Sequence, residues 1–174
     1  MTGTVAPILR RYAIEKLADH FAQVRRCCAL LSAEQIWFRP NDNSNSVANL
    51  LLHLAGNVRQ WIVGGLGGAI VPRDRPAEFA RRDGLSREQL LESLAGVLDE
   101  AYAVLGGVDD AALVREYAIQ NYRLSGVAAI LHVVEHFAFH TGQIVTTTKW
   151  LLDVDLSLYD EKGHRRDGRQ EAVP

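Results

Sequence analysis

The residues of this chain best able to do chemistry are its histidines, six in number, three of which recur four residues apart in His132-Val-Val-Glu-His136-Phe-Ala-Phe-His140-Thr-Gly-Gln143. On a helix, positions four apart lie about 40° round the axis and one turn up, so neighbouring imidazoles can aim at one point. That pattern invites a divalent metal. The competing explanation is packing: a histidine beside an apolar face is commonly a satisfied core residue. Three in register weaken it, because each buried ring needs partners for two nitrogens. Elsewhere, His53 and Asn57 repeat the same four-residue step, which places them together on one flank of a second apolar stretch. His20 stands alone at the margin of a stripe and reads as packing.

Other chemistry is poorly served. Cys27 and Cys28 are adjacent, a spacing that suits neither a metal knuckle nor a redox pair, and they read as buried thiols of a reducing cytoplasm. The run Gly64-Gly65-Leu66-Gly67-Gly68 follows a helical stretch, whereas phosphate-binding loops follow a strand, so it reads as a helix stop. No serine or cysteine nucleophile sits beside an obvious base, which leaves no catalytic residue beyond the metal site itself. A formal net charge of -2 gives no reason to expect nucleic acid. The absence of a signal-like start and of a long uncharged apolar run argues for a soluble cytoplasmic protein without a membrane partner.

The elements that must position the histidines are helices. Apolar residues recur at helical spacing through Leu9, Ala13, Leu17, Phe21, Val24, Cys28 and Leu31, and Ser32 to Asn45 then reads as a loop. Asn45 or Ser46 can cap a second helix from Val47 to about Gly64. The polar stretch Ala69 to Leu85, with Pro72 and Pro76, reads as a long connection of either covering or merely linking role. Ser86-Arg-Glu-Gln89 is a capping box for a third helix through Leu90, Leu94, Val97, Leu98, Ala101 and Leu105. Asp109 caps a short helical piece, Tyr117 to Arg123 is connecting chain without assigned form, and Ser125 caps a fourth long helix to about Leu152. At 174 residues and 48% hydrophobic the chain suits one core. The expectation is an all-α four-helix bundle over residues 1–155 with a long crossover connection and short extra helical segments, and a weakly ordered tail over 156–174.

Within the fourth helix, Ile130 marks the core stripe; His140 lies about 80° from it, His136 about 120° and His132 about 160°. His136 and His140 are therefore the converging pair, His53 on a facing helix supplies the third ligand, and Asn57, His132 and Gln143 fall beside them as residues that orient ligands or bind substrate. Gln143 falls on the His136 side, and Glu135 reads as a surface charge. Three neutral imidazoles leave a coordination position open, as catalytic sites do. Trp37, Trp61 and Trp150 line a pocket or pack.

Asn49-Leu-Leu-Leu-His53-Leu-Ala-Gly-Asn57, together with His132 to Gln143, resembles the DinB-like (YfiT-type) superfamily of metal-dependent enzymes, and the resemblance covers most of the chain. Arg73-Asp74-Arg75-Pro76-Ala77-Glu78-Phe79 looks like a connector of one uncharacterised branch. The resemblance implies a four-helix bundle, often a homodimer, with a three-histidine site for zinc, nickel or a related divalent ion at His53, His136 and His140. It further implies a small-molecule substrate and, in some relatives, thiol-dependent transferase or isomerase chemistry with a low-molecular-weight thiol such as mycothiol, bacillithiol or glutathione. Three readings follow: a metal-dependent thiol transferase or hydrolase, a noncatalytic metal- or small-molecule-binding bundle, and a bundle whose histidines merely pack.

Overall fold

The computed structural model describes residues 4–162. Four long helical stretches carry the core: α1 (Ala6–Leu30), α3 (Val47–Val58) continued by a π-helical segment (Arg59–Leu66), α5 (Arg87–Gly106) and α7 (Gly126–Leu152). Between them lie α2 (Ala33–Trp37), α4 (Arg75–Ala80), α6 (Asp110–Val114) and an antiparallel hairpin of β1 (Glu116–Ile119) and β2 (Tyr122–Ser125). α1 packs against α7 and α5, and α3 packs against the same two helices. α1 and α3 are thus diagonal in the bundle, and α3 faces α7 directly.

Three of the four long helical stretches start at a serine that supplies an acceptor, while at the start of α1 the backbone of Val5 and Ala6 donates to the distant Asp110 Oδ1. The hydroxyls of Ser46, Ser86 and Ser125 accept from the backbone three residues on, and Ser46 and Ser86 complete capping boxes with Asn49 and Gln89. The stripes bury as their spacing predicts: Leu90, Leu94, Val97, Leu98, Ala101 and Leu105 of α5 are all core residues. The same core holds Leu17 of α1, Leu51 and Leu54 of α3, and Ile130 and Phe137 of α7. Both cysteines are buried thiols, and burial pushes Cys28 up to about 12, which makes it a packing residue rather than a nucleophile.

Several segments depart from the sequence expectation. The loop after α1 contains α2, opened by a capping box of Ser32 and Gln35 that the neighbouring turn formers obscure. The second stretch is α-helical only to Val58 and continues with wider π turns to Leu66, where the glycine run stops it with Gly67 as the cap, and Gly68 takes φ 75°, where a side chain would be strained. Tyr117 to Arg123 lies within the hairpin, turned by Gln120 at φ 54° without the glycine that advertises such turns. The connection from Ala69 to Leu85 includes α4. Leu156 is buried and Leu158 packs against the core, so core packing continues past residue 155. The remainder of the expected tail, 163–174, lies outside the described residues.

Candidate metal centre

His53 projects from α3, and His136 and His140 from consecutive turns of the facing α7. One nitrogen of each falls within 4.8 Å of the others, and His53 Nε2 and His136 Nε2 are 2.8 Å apart. His140, nearest the core stripe on the wheel, is buried, while His136 and His132 are both half-buried. Glu135 is exposed. His132 stands outside the cluster, with its ring 4.0 Å from that of Trp61 and its Nε2 3.4 Å from Asn57 Nδ2. Trp61 is brought there by the first π turn, a distortion that concentrates at functional sites. Asn57 Oδ1 and Trp61 Nε1 are buried without a hydrogen-bond partner, which leaves an acceptor and a donor beside the cluster.

Gln143 reaches back one turn rather than toward His136. Its Oε1 lies 2.7 Å from His140 Nδ1, so the amide oxygen accepts the ring proton and His140 Nε2 carries the lone pair. His53 is fixed by a group the sequence did not flag. Glu78 Oε2 lies 2.9 Å from His53 Nδ1, and a carboxylate can only accept, so that nitrogen carries the proton and Nε2 is again the free donor atom. Arg73 Nη2 is also 3.2 Å from His53 Nδ1, but it lies 2.9 Å from Glu78 Oε2, and the carboxylate is the acceptor both can share.

Glu78 is itself held. Arg73 Nε donates to its Oε1 at 2.7 Å, and Arg73 Nη1 donates to Gln60 Oε1 at 2.8 Å. The side chains of Arg73 and Glu78 are only 8% and 11% exposed, so the pair is largely withdrawn from water, and removing one partner of such a pair typically costs about 3–5 kcal/mol. Burial raises the Glu78 carboxyl, but the hydrogen bonds from His53 and Arg73 outweigh it and the net direction is down. The pair packs over Gly56, where a Cβ would run into Glu78 Oε1 and come within 2.8 Å of Arg73 Nε. Asn49, fully buried, accepts from the Ser46 backbone N–H at the start of α3 with its side-chain oxygen and donates its amide nitrogen to the carbonyls of Glu78 and Arg81 at the end of α4. Phe79 lays its ring 4.7 Å from His53.

This arrangement explains why α4 and Glu78 escaped the sequence reading. Pro76 in a polar stretch suggests a loop, yet Asp74 caps the backbone of Ala77 and proline is welcome in a first helical turn. The Asp74-x-Pro76 signature was available. The 25-residue separation of Glu78 from His53 had no counterpart in spacing rules.

The donor set fits a divalent ion. Nδ1 of two imidazoles is committed to an acceptor, which turns Nε2 of both inward as metal-ligating histidines require. Burial, and then the neighbouring His140, His53, His132 and Arg73, push His136 down to about 3, and burial lowers His140, so both rings are neutral near pH 7. The 2.8 Å gap between His53 and His136 can hold a proton, which then sits on His136 because that of His53 is committed to Glu78, or the two lone pairs can turn to a cation. A cavity of about 660 Å³ lies beyond Gln143 and Phe139, with Pro40, Asn43, Leu50 and Trp150 also in its wall. Trp150 thus lines a cavity, Trp61 packs on His132, and Trp37 donates to the Leu85 carbonyl at 3.0 Å.

Residues 8–159 match a protein family described as "Protein of unknown function (DUF1572)". No curated protein matches the chain. Among solved structures, a conserved protein from Enterococcus faecalis aligns with TM-score 0.72 and 16% identity, covering 83% of this chain and 97% of its own. A DinB-like protein from Bacillus cereus aligns at 0.64 with 12% identity, covering 87% and 95% respectively. The DinB-like protein YjoA from Bacillus subtilis also aligns at 0.64, with 15% identity over 88% and 99%. At these identities the structural likeness shows the shared all-α bundle. The match over most of the chain shows that it belongs to the DUF1572 family, an uncharacterised branch with the DinB-like fold.

Proposed function

We propose that this protein is a metal-dependent enzyme that holds a divalent ion, zinc or nickel, on His53, His136 and His140. The ion would activate a small thiol or water against an electrophilic small molecule, in a thiol transferase or hydrolase reaction. The carrying observation is the convergence of three imidazole nitrogens within 4.8 Å, with no other described histidine, cysteine or carboxylate in the same set. A bound ion supplies Lewis acidity, lowering the pKa of a coordinated water or thiol or polarising a carbonyl. Glu78 and Gln143 hold two of the rings. Asn57 Oδ1 and Trp61 Nε1, both lacking partners, and His132 between them offer polar contacts for a bound molecule. Low-molecular-weight thiols are the cosubstrates this reading favours.

The test is a screen of zinc- and nickel-loaded protein over low-molecular-weight thiols, water and electrophilic small molecules. Turnover lost in His136→Ala is expected. Turnover equal in wild type and that variant would contradict the proposal. A second reading, a noncatalytic metal- or small-molecule-binding protein, draws on one observation: Glu78, the carboxylate touching the cluster, is already committed to Arg73 and His53 and is not poised as a base. A loaded protein inert throughout the screen would favour that reading.

A further inference from the structure

The connection between the second and third long helical stretches meets His53 through Arg73, Glu78 and Phe79, and of these Glu78 is the acceptor for the ring nitrogen. Glu78, on α4, contributes its Oε2 to His53 Nδ1 at 2.9 Å, and every neighbouring feature serves that contact. Arg73 grips both carboxylate oxygens, at 2.7 and 2.9 Å. Gln60, at the start of the π segment, holds the far side of the guanidinium. Gly56 leaves the volume into which Glu78 Oε1 projects. Asn49 ties the Glu78 and Arg81 carbonyls to α3 at 2.8 and 2.9 Å, so the backbone that carries the carboxylate is docked independently of the carboxylate itself. A surface connection would need none of these.

We propose that Glu78 is a positioning residue of the metal centre: it fixes His53 with its proton on Nδ1 and its lone pair on Nε2, and Arg73, Gln60 and Gly56 exist to hold Glu78 in that place. The inference rests on the metal-site reading for its consequence, but the ring tautomer is a property of the chain alone. A carboxylate behind a ligating imidazole orients the ring and raises its basicity, and loss of such a partner typically weakens metal binding about 10–100-fold. Arg73 balances the carboxylate, so the assembly behind His53 is close to neutral and the proton stays on the imidazole. Nothing comparable is needed on α7, where Gln143 performs the neutral version of the same task for His140.

The experiment is long-range 15N–1H NMR of histidine-labelled, metal-stripped full-length protein, which distinguishes the two ring nitrogens, paired with zinc affinity from chelator competition. In wild type His53 is expected as the Nδ1–H tautomer. Glu78→Ala should move it toward Nε2–H and weaken zinc about 10–100-fold. Glu78→Gln, which keeps an acceptor oxygen for His53 Nδ1 and Arg73 Nη2 but gives up the charge that balances Arg73, should retain the wild-type tautomer and bind with intermediate affinity. Far-UV circular dichroism of each variant establishes that it is folded, and Glu78→Gln with Glu78→Leu replaces the first comparison if Glu78→Ala is not. Wild-type His53 found as Nε2–H, or tautomer and affinity both unchanged without the carboxylate, would overturn the proposal. A tautomer that follows Glu78 in a protein that binds no zinc would uphold the positioning and sink the metal-site reading instead.

Discussion

The two sides of the histidine cluster are built by different means. On α7, His136 and His140 come from one helix, and the group that orients His140 is Gln143, three residues along the same helix. On α3, His53 is oriented by Glu78, which is 25 residues away and arrives on a separate helix held by Arg73, Gln60 and Asn49. The first side is local and follows from helical geometry alone. The second exists only after the connection has docked. A histidine cluster of this kind can keep one half rigid by secondary structure while the other half depends on tertiary packing, so damage to the connection should be felt at His53 and spare α7.

That contrast can be broken or sharpened by substitution. Beyond the outright loss of an imidazole or of the Glu78 carboxylate, the largest effect expected is from Gln143→Ala, which removes the acceptor for His140 Nδ1 while leaving the backbone untouched. Zinc affinity should fall about tenfold, at the lower end of the range for orienting partners, with His53 unchanged by NMR. A His53 tautomer that moved with Gln143 would show that the two sides are not separate.

Acid should act on both sides. His136 is held down to about 3 by burial and its neighbours, so between its ordinary value near 6.5 and that figure the unfolded chain binds a proton that the native chain refuses. Native stability of metal-stripped protein is therefore full above about pH 6.5 and falls as pH drops toward 3. Burial shifts His140 and His132 in the same direction. Glu78, whose net shift is downward, adds stability that is present above its unfolded value and lost as pH falls through its folded one. Urea midpoints at pH 7.5, 6 and 5 check this. A midpoint that rises on acidification would contradict it.

The smallest effect comes from two glycines. Gly96, in α5, has open space where a Cβ would go, and Gly96→Ala should stabilise the protein by about 0.4–1 kcal/mol in denaturant unfolding. Gly56→Ala gains the same helix propensity, yet its Cβ displaces Glu78, so zinc affinity should drop while stability gains little. Equal behaviour of the two variants in both measurements would remove Gly56 from the account.

What could be read from the chain divides along the same line. The stripes of α3, α5 and α7 and the caps at Ser46, Ser86 and Ser125 are local properties, written in apolar spacing and in a side chain three residues from its partner. The grouping of His53 with His136 and His140 followed from helix geometry plus the rule that bundle sites form between facing helices. Glu78 was not legible, because proline and charge in its segment resemble a solvated loop and because no spacing rule links residue 78 to residue 53. The hairpin at 116–125 was missed for the opposite reason: its Gln120-Asn121 turn omits the usual glycine signal, and its strands are four residues each.

The most direct test of the central claim is the divalent-metal content of untagged wild-type protein beside that of His53→Ala. One zinc or nickel ion per wild-type chain, and its loss in the variant, is the predicted result, because His53 contributes the one ligand that does not come from α7. Full occupancy in His53→Ala, with the ion held by the His132, His136 and His140 ladder, would contradict the account.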